Sequence, residues 1–371
     1  MGRCSLDDSI VDLLPNLPPE WRDVRLRHLL HQTAGVPEFL FHPKFVALER
    51  EPSSTADALR ALIAQQPLRF PPGSRWSYSN SNYTLLAAVI EKISGTQYEQ
   101  FLDEQFFAPL GLRSIHHCTP QPVAFNHAHG YVLRDEKIQR APIENLNLAR
   151  GDGGLCATAE DLARWTNALA SSRVVTRVSY QRMVSSMPVR QGYTPPYGFA
   201  LSLLELDEQH PKVSHHGAMA GFSGMLASYP NQNLVVAVLT NRGGLWADAI
   251  EEGVARRVLN LPDPHRRDIT VARTDQARYV GSFDTGAFTA RISIPEGSGR
   301  LWLYAPRPGP TAPLLFQGTH RFVSANDPEA VGVTFECFES TCNRIRFRMA
   351  GMIWYGERVS NTSGGNAQLK P

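Results

Sequence analysis

The chain has 371 residues, which is long for one domain and predicts two. Hydrophobic residues make up 42% of it and charged residues 19%, an ordinary globular balance that supplies enough apolar surface for a sizeable core. The formal net charge is +2, from 37 basic and 35 acidic residues, so the charge gives no reason to expect a nucleic acid or a membrane surface as partner. No apolar run reaches the roughly 20 residues of a membrane-spanning helix, and we expect no transmembrane segment.

Helical patterns alternate with short apolar runs in the first 260 residues. Apolar residues recur at helical spacing from Asn80 to Ser94, and Gly95 ends this helix. A second amphipathic helix is predicted from Tyr98 to Leu110. A third begins at Thr158, where Thr-Ala-Glu-Asp resembles a capping box. The inner face of the third helix carries Leu162, Trp165 and Leu169.

A strand, a turn and a second strand are predicted further along the chain. The strands cover residues 226–229 and 234–239, and Pro-Asn-Gln-Asn at 230–233 makes the turn. Residues 246–259 then predict a helix that closes against this sheet. The run Leu-Pro-Asp-Pro at 261–264 breaks the pattern, and we place a domain boundary there.

The sequence after this boundary has an all-β pattern. Apolar residues alternate with polar or charged ones at 288–294, 331–337 and 344–349. In the last of these segments three arginines are expected to face water and three apolar side chains to face inward. Glycine and proline at 297–299 and 306–310 supply turns. We therefore predict a small antiparallel sheet or barrel of roughly eight strands.

These features divide the chain into four parts. The first domain covers residues 1–260, a linker covers 261–272, and the β-rich domain covers 273–359. Residues 360–371 carry Ser, Gly and Asn without apolar periodicity, and we expect a disordered tail there.

The five cysteines form no CxxC pair and no zinc-binding spacing. They are Cys4, Cys118, Cys156, Cys337 and Cys342. Cys337 and Cys342 would bridge a hairpin in an oxidising compartment, but we expect two unpaired thiols. His116-His117-Cys118 and His127-x-His129 lack a zinc-site spacing and a third ligand cluster, so we expect a solvated loop there. The sequence therefore predicts neither a metal site nor a cofactor.

Several sequence segments within residues 1–245 agree in order and spacing with those of one family of enzymes. The segments are residues 24–37, Pro72-Gly73-Ser74, 78–83, Gly153-Gly154-Leu155 followed by 158–162, and 215–223. They resemble the β-lactamase-related serine hydrolases, which include class C β-lactamases, D-Ala-D-Ala carboxypeptidases, D-aminopeptidases and esterases. The chain fits the Tyr-x-Asn and His-x-Gly variants of this family's motifs. From Tyr279 onward the sequence resembles the lipocalin-like domain that is often appended to this family.

The resemblance implies an α+β fold. Its parts are a β-lactamase/transpeptidase-like antiparallel sheet with a helical subdomain and, after it, the small all-β domain. The family's nucleophile motif, Ser-x-x-Lys, occurs nowhere in the chain, because none of the five lysines has a serine three residues before it. Residues 2–8 resemble the end of the nucleophile helix, which implies that this helix and the first strands are missing. We therefore expect an N-terminally truncated chain that is inactive and only marginally stable.

The resemblance also implies roles in acyl transfer through an acyl-serine. Tyr78 would take the serine proton and pass it to the leaving group, and Asn80 would donate its amide to the substrate carbonyl. His215 would face the acyl group from a strand edge. Gly217 would leave room for the substrate backbone, and the N–H of Ala218 would be one oxyanion donor.

His215 stands where many relatives have a lysine. An imidazole with a pKa of about 6.5 is mostly neutral at pH 7 and attracts a substrate carboxylate less, which favours ester or neutral peptide substrates over β-lactams. The neighbouring His216 is the alternative to His215. The purely structural alternatives are a core aromatic residue at Tyr78 and a helix N-cap at Asn80.

Three functions follow from these features. The favoured one is a β-lactamase-related serine hydrolase that acts on small esters, amides or peptides and whose nucleophile motif is absent from this chain. The second is a non-catalytic descendant that binds acyl-peptide or cell-wall fragments. The third is a C-terminal β domain that binds an apolar ligand or a partner. The compartment stays open, although complete relatives are commonly periplasmic or secreted.

Overall fold

The structure is a computed structural model, and it describes residues 3–118, 127–134, 137–142, 144–243, 247–262, 267–286, 288–305, 311–326, 328, 331–338, 341–349 and 352–359. The chain forms two compact units, Met1–Pro264 with Met349–Ile353 and His265–Arg348 with Trp354–Pro371. The tail predicted at 360–371 and the turn predicted at 306–310 lie outside the described residues. Among the helices that are described, none has the length and apolar character needed to span a bilayer.

The described part of the first unit contains ten α-helices. They are α1 (Ile10–Leu13), α2 (Leu26–Leu30), α3 (Phe45–Arg50), α4 (Ala56–Ala64), α5 (Asn80–Ser94), α6 (Tyr98–Leu102), α7 (Ala108–Leu110), α8 (Ala159–Ala170), α9 (Arg177–Met183) and α10 (Ala247–Val258). Short 3-10 turns lie at Pro19–Trp21, Phe39–Phe41 and Pro230–Gln232. A π-helical turn, Asp103–Phe107, joins α6 to α7, so the helix predicted from Tyr98 to Leu110 is continuous but locally widened.

The helix ends follow from local chemistry. Gly95 has a φ of 74° and ends α5, as predicted, because glycine adopts the left-handed region without a steric penalty. Thr158 caps α8 by accepting a hydrogen bond from the Asp161 N–H at 3.2 Å. The predicted capping box is incomplete, since the Asp161 carboxylate accepts instead from the N–H and hydroxyl of Ser114, at 2.9 and 2.6 Å.

The main core of the first unit lies among its N-terminal helices. The burial of these apolar side chains supplies most of the stability of the helical part. Fully buried members of the core are Ile10, Trp21, Val24, Leu29, Ala34, Leu59, Ile63 and Leu85.

The first unit also contains two small antiparallel strand pairs. β1 (His116–His117) pairs with β4 (Leu155–Cys156), and β2 (Tyr131–Arg134) pairs with β3 (Lys137–Arg140). The prediction of a solvated loop at His116 and His117 is therefore wrong. A disulfide between Cys118 and Cys156 joins the two strands of the first pair, and this cross-link fixes the local backbone.

The larger sheet of the first unit has four strands in the order β5-β6-β7-β8, all antiparallel. They are β5 (Ser202–Asp207), β6 (His210–Met219), β7 (Phe222–Tyr229) and β8 (Leu234–Thr240). The predicted strand-turn-strand over 226–239 is confirmed, with Asn233 at a φ of 48° in the turn. Helix α10 packs against β7 and β8, which confirms the predicted closing helix. Trp246, its predicted first residue, lies outside the described residues.

The second unit is a closed antiparallel barrel, which is one of the two forms that the sequence predicts. Its strands are β9 (Gly281–Asp284), β10 (Thr289–Ser293), β11 (Trp302–Tyr304), β12 (Thr311–Gly318), β13 (Arg321–Ser324), β14 (Gly332–Phe338), β15 (Thr341–Met349) and β16 (Met352–Arg358). Each strand follows its neighbour in sequence, and β9 closes the ring between β16 and β10. A short helix, α11 (Arg273–Gln276), and a 3-10 turn, Ala277–Tyr279, precede β9.

Alternation along the barrel strands fills the interior with apolar side chains. Phe283, Ile292, Leu303, Ile345 and Phe347 are fully or almost fully buried, in agreement with the predicted period of two. The prediction of unpaired thiols in this domain is wrong. Cys337 and Cys342 lie directly opposite each other on β14 and β15 and form a disulfide, because the hairpin register brings their side chains together.

A buried ion pair links the sheet of the first unit to α10. Lys212 is 2% exposed, and its ammonium lies 3.0 Å from a Glu251 carboxylate oxygen and 3.1 Å from one of Glu252. Tyr229 donates its hydroxyl proton to Glu251 at 2.5 Å. Burial alone would lower the pKa of Lys212, but the carboxylates of Glu252 and Glu251 raise it above the ordinary value. The lysine is therefore charged in the folded protein.

We predict that Lys212→Met lowers the free energy of unfolding by about 3–5 kcal/mol, because it leaves the buried Glu251 charge without its cation. The double variant Lys212→Met/Glu251→Gln should lose less, since it also removes the charge and keeps an acceptor for Tyr229. Urea unfolding followed by circular dichroism measures both. Lys92→Met, on an exposed face of α5, is the control and should change stability by less than about 0.5 kcal/mol. A double variant that is less stable than the single variant would contradict this explanation.

Candidate active site

The first turn of α5 positions two of the predicted site residues. Ser79 occupies the N-cap with an extended backbone, and Asn80 is the first helical residue. Asn80 is therefore not the N-cap itself, the structural alternative considered for it. The Tyr78 hydroxyl donates to the Asn80 side-chain oxygen at 3.2 Å, and both residues are half-buried.

Gln32 holds this segment in place. Its backbone carbonyl accepts from the Ser77 N–H at 2.9 Å, and its side-chain oxygen accepts from the Ser79 N–H at 2.9 Å and from the Asn82 side-chain amide. Gln32 is fully buried and has a φ of 61°, a region that non-glycine residues rarely adopt. These contacts orient Tyr78 because they fix the backbone on both sides of it.

A buried carboxyl group lies behind Asn80. The Glu38 carboxylate accepts from the Asn80 N–H at 2.6 Å and from the Leu40 N–H at 3.1 Å, and it also hydrogen-bonds the Asn80 side chain. Burial raises the pKa of Glu38 from its ordinary 4.5 to about 7. Burial likewise raises the pKa of Asp152 to about 7, with a further contribution from Glu38. Both carboxyl groups are thus poised to bind a proton near neutral pH.

The aromatic side of the site brings Tyr78 and His215 together. Their ring centroids lie 6.2 Å apart. The hydroxyl of Tyr197 lies 3.1 Å from His215 Nε2, and the Tyr197 ring also packs against Tyr78, with centroids 6.3 Å apart. The structure therefore brings Tyr78, Asn80 and His215, three residues chosen from sequence, into one cluster with Tyr197.

β6 carries the remaining predicted residues. Gly217 and Ala218 follow His215 and are exposed. β7 pairs with β6 as far as Met219, whereas β5 pairs with it only as far as Ser214. The stretch 215–219 therefore presents a strand edge beyond the end of β5.

His216 is not part of the cluster. Neighbouring residues of a strand point to opposite faces, and His216 Nε2 lies 3.1 Å from the hydroxyl of buried Ser223. Burial, followed by the charge of His215, lowers the pKa of His216 to about 4. Lys212, three residues before His215, also faces away from it, toward Glu251, and so does not replace the missing motif lysine.

The protonation state of Tyr78 differs from the one that its predicted role requires. Burial chiefly, and then the carboxylates of Glu38 and Asp152, raise the pKa of Tyr78 above its ordinary value of 10, so the phenol keeps its proton at neutral pH. A proton-accepting Tyr78 would require a lowered pKa instead. Burial lowers the pKa of His215 below 6.5, and the imidazole is neutral at pH 7, as the sequence predicts.

One described cavity lies near the cluster but is not the predicted groove. It has a volume of about 690 Å³, and Tyr78, Asn80 and His215 do not line it. Its lining comes from residues 4–7, Arg27, His31, Arg182, residues 185–188 and Phe199. It approaches the cluster at His31, whose Nδ1 lies 3.5 Å from the Tyr197 carbonyl oxygen.

Sequence reasoning missed several members of the cluster. Gln32 lies within the segment at 24–37 and Glu38 directly follows it. No local pattern separates these two residues from other polar residues. Asp152 directly precedes the quoted Gly153-Gly154-Leu155. Tyr197 has no sequence signal that separates it from other aromatic residues, because only the folded chain brings it beside His215.

The antiparallel sheet, the helical part and this cluster define a β-lactamase/transpeptidase-like protein. The beta-lactamase family profile matches residues 1–260, and the chain belongs to that family. Penicillin-binding protein 4* of Bacillus subtilis is 28% identical over 306 residues, which are 76% of this chain and 67% of that protein. A D-aminopeptidase of Brucella ovis is 28% identical over 198 residues, which are 53% of this chain and 37% of the relative.

The same fold occurs in solved structures. The octameric penicillin-binding protein homologue from Pyrococcus abyssi has a TM-score of 0.64 at 20% identity, over 95% of this chain and 83% of that one. The β-lactamase/transpeptidase-like fold is thereby confirmed. The likeness of the barrel to a lipocalin-like domain stays a prediction.

We predict that Gln32→Ala lowers the free energy of unfolding by about 2–4 kcal/mol, because two buried donors lose their acceptor. The matched control is Gln100→Ala, which removes an exposed glutamine and its contact with Glu104 and should cost less than about 0.5 kcal/mol. Urea unfolding of the three proteins checks this. Equal losses in the free energy of unfolding for the two variants would show that the buried hydrogen bonds of Gln32 do not stabilise the fold.

We also predict that Glu38 destabilises the fold as pH rises. A carboxyl whose pKa is higher in the folded protein binds more protons there, so stability falls between about pH 4.5 and about pH 7. Glu38→Gln removes this loss, which is on the order of 3 kcal/mol, and flattens the pH profile. Unfolding by urea at pH 5 and pH 8 measures it, with the exposed Glu160→Gln as control. A profile that Glu38→Gln leaves unchanged would refute a raised pKa at Glu38.

Proposed function

We propose that Tyr78, Asn80 and His215 form the acyl-group site of a serine hydrolase of the penicillin-binding protein and D-aminopeptidase type. The observation that carries this proposal is their meeting with Tyr197 next to the strand edge at 215–219, which lies beyond the first residue of β5. An edge of this kind can pair with the backbone of an extended, peptide-like substrate.

The hydrogen bonds around Asn80 support a carbonyl-binding role. Its side-chain oxygen accepts from Tyr78, and its amide nitrogen has two N–H groups. One N–H can contact Glu38 while the other donates to a substrate carbonyl oxygen. Gly217 leaves room for a substrate backbone, and the N–H of Ala218 is the proposed oxyanion donor.

The substrate class follows from charge and from the relatives. His215 and Tyr78 are both neutral at pH 7, which favours neutral amides, esters or peptides over substrates held by a carboxylate. One relative is a D-aminopeptidase and another a penicillin-binding protein. We therefore propose an amide or peptide substrate with a D-residue on the acyl side.

The family's nucleophile motif does not occur in the given sequence. Acyl transfer through serine needs an activated hydroxyl, and the 371-residue sequence contains no Ser-x-x-Lys. Ser223 is buried against His216, on the face away from His215. We propose that the chain as given binds substrate without forming an acyl-enzyme.

The test combines a labelling and a binding experiment on the 371-residue protein. A fluorophosphonate probe should leave it unlabelled. N-acetyl-D-alaninamide should bind without hydrolysis in a calorimetric titration, and Asn80→Ala or His215→Ala should weaken binding about tenfold, as expected for one lost hydrogen bond. The exposed Asn147→Ala is the control. Probe labelling would overturn the proposed inactivity, and undetectable binding, or binding insensitive to both site variants, would overturn the proposed site.

The non-catalytic binding protein remains the second candidate, because the lack of Ser-x-x-Lys also fits it. In-frame coding sequence upstream that encodes Ser-x-x-Lys would support the hydrolase. An upstream sequence without it would support the binding protein.

A further inference from the structure

One end of the barrel gathers a histidine and two cysteine side chains. His320 lies in the turn between β12 and β13, and Cys337 and Cys342 face each other near the turn between β14 and β15. The Nδ1 of His320 lies 3.6 Å from the Cys337 sulfur, and the three potential donor atoms lie within 4.8 Å of one another. The hydroxyl of Tyr279 is 2.8 Å from the same His320 nitrogen. Four polar or sulfur-containing groups therefore meet at this end.

The barrel fixes this arrangement. The backbone carbonyl of His320 accepts from the Phe335 N–H at 3.0 Å, which holds the β12–β13 turn against β14. Tyr279 is 3% exposed, and its ring packs against Phe335 and Phe322 with centroid distances of 4.7 and 5.0 Å. Cys342 is fully buried. The donors are thus held by elements that are rigid for other reasons, as a metal site requires.

The spacing suits a tetrahedral metal ion. Zinc binds cysteine sulfur at about 2.3 Å and histidine nitrogen at about 2.0–2.1 Å, so the two donors on one tetrahedron are separated by about 3.5 Å. The 3.6 Å between His320 Nδ1 and Cys337 Sγ agrees with that value. Two thiolates on one zinc ion are about 3.8 Å apart. Side chains directly opposite on paired strands reach that separation once the disulfide is open.

We propose that the reduced β14–β15 hairpin binds one Zn²⁺ through His320 Nδ1 and the thiolates of Cys337 and Cys342, with water in the fourth position. Opening the site takes two electrons from a thiol or phosphine reductant and converts the disulfide into two thiols. A thiol reductant supplies the two protons and becomes a disulfide, whereas with a phosphine water supplies the two protons and the oxygen of the phosphine oxide that forms. Zinc then displaces both thiol protons to solvent. His320 binds as the neutral imidazole with its proton on Nε2, and Tyr279 gives up its contact with Nδ1. In the oxidised chain the sulfurs are bonded to each other and the site is closed.

A second group of potential ligands serves as an internal comparison. His116, His127 and Cys156 also lie within 4.8 Å of one another, but both histidines are exposed. Cys156 is bonded to Cys118 in this group. An exposed pair of histidines lacks the buried framework that orients metal ligands. The proposal therefore assigns the metal to the barrel cluster, and variants separate the two groups.

The experiment uses the full chain, which is first reduced with a phosphine. The phosphine is then removed under anaerobic conditions. Titration with Co²⁺ should reach one equivalent and produce thiolate-to-cobalt charge-transfer absorption with visible bands of a tetrahedral site. Zn²⁺ should then abolish these bands by displacement. His320→Ala should weaken Zn²⁺ binding by about 100-fold or more, because it removes a direct ligand. Cys118→Ser/Cys156→Ser should leave the binding unchanged.

Folding controls keep the result decisive. His320→Gln retains a hydrogen-bonding side chain for Tyr279, and circular dichroism should show the barrel intact while Zn²⁺ binding is lost. The oxidised wild-type chain should give no tetrahedral cobalt spectrum. The proposal would be overturned if the oxidised chain or the His320→Gln variant bound the metal as tightly as the reduced wild-type chain. It would also be overturned if only Cys118→Ser/Cys156→Ser lost binding.

Discussion

The geometry of the candidate site depends on the hydrogen bonds of Gln32. Its carbonyl and side-chain oxygens accept from Ser77, Ser79 and Asn82, so one residue fixes the backbone on both sides of Tyr78 and the first turn of α5. Gln32 does this from the left-handed backbone region, which costs a non-glycine residue on the order of 1 kcal/mol. A glycine would remove that cost but also the side-chain acceptor. The strained glutamine is therefore explained by what its side chain holds.

Around this framework, burial shifts the ionisable groups of the cluster toward their neutral forms. Burial raises the pKa values of Glu38 and Asp152 to about 7 and keeps the proton on Tyr78, while it lowers the pKa of His215. A cation in contact with the three acids would lower all of their pKa values together. Proton acceptance by Tyr78, the role that the family motif implies, therefore requires a positive charge that lowers the pKa of the phenol. The position of Tyr78 in the cluster does not by itself provide that charge.

The sequence predicted those features that depend on local pattern. Helix α5, the β7–β8 hairpin and the barrel follow from periodicity and turn residues, and Tyr78, Asn80 and His215 follow from motif order. It did not predict the Cys118–Cys156 and Cys337–Cys342 disulfides, because cysteine spacing carries no information on which strands become neighbours. Tyr197 and Glu38 were missed for the same reason. Their roles arise from contacts over 18 and 42 residues of chain, which no local pattern encodes.

The two faces of strand β6 have different roles, because one packs against buried partners and the other contributes to the candidate site. Alternation directs Lys212 and His216 toward buried partners, Glu251 and Ser223, whereas His215 points to the opposite face and meets Tyr78. A register shift of one residue would exchange these two sets, so the buried ion pair that stabilises the sheet also determines which histidine reaches the site. Because β5 begins at Ser202, opposite Ser214, the rest of β6 has no strand paired on that side among the described residues. Such an edge is a liability in a protein that does not use it, and here it runs beside the residues that would hold a substrate carbonyl.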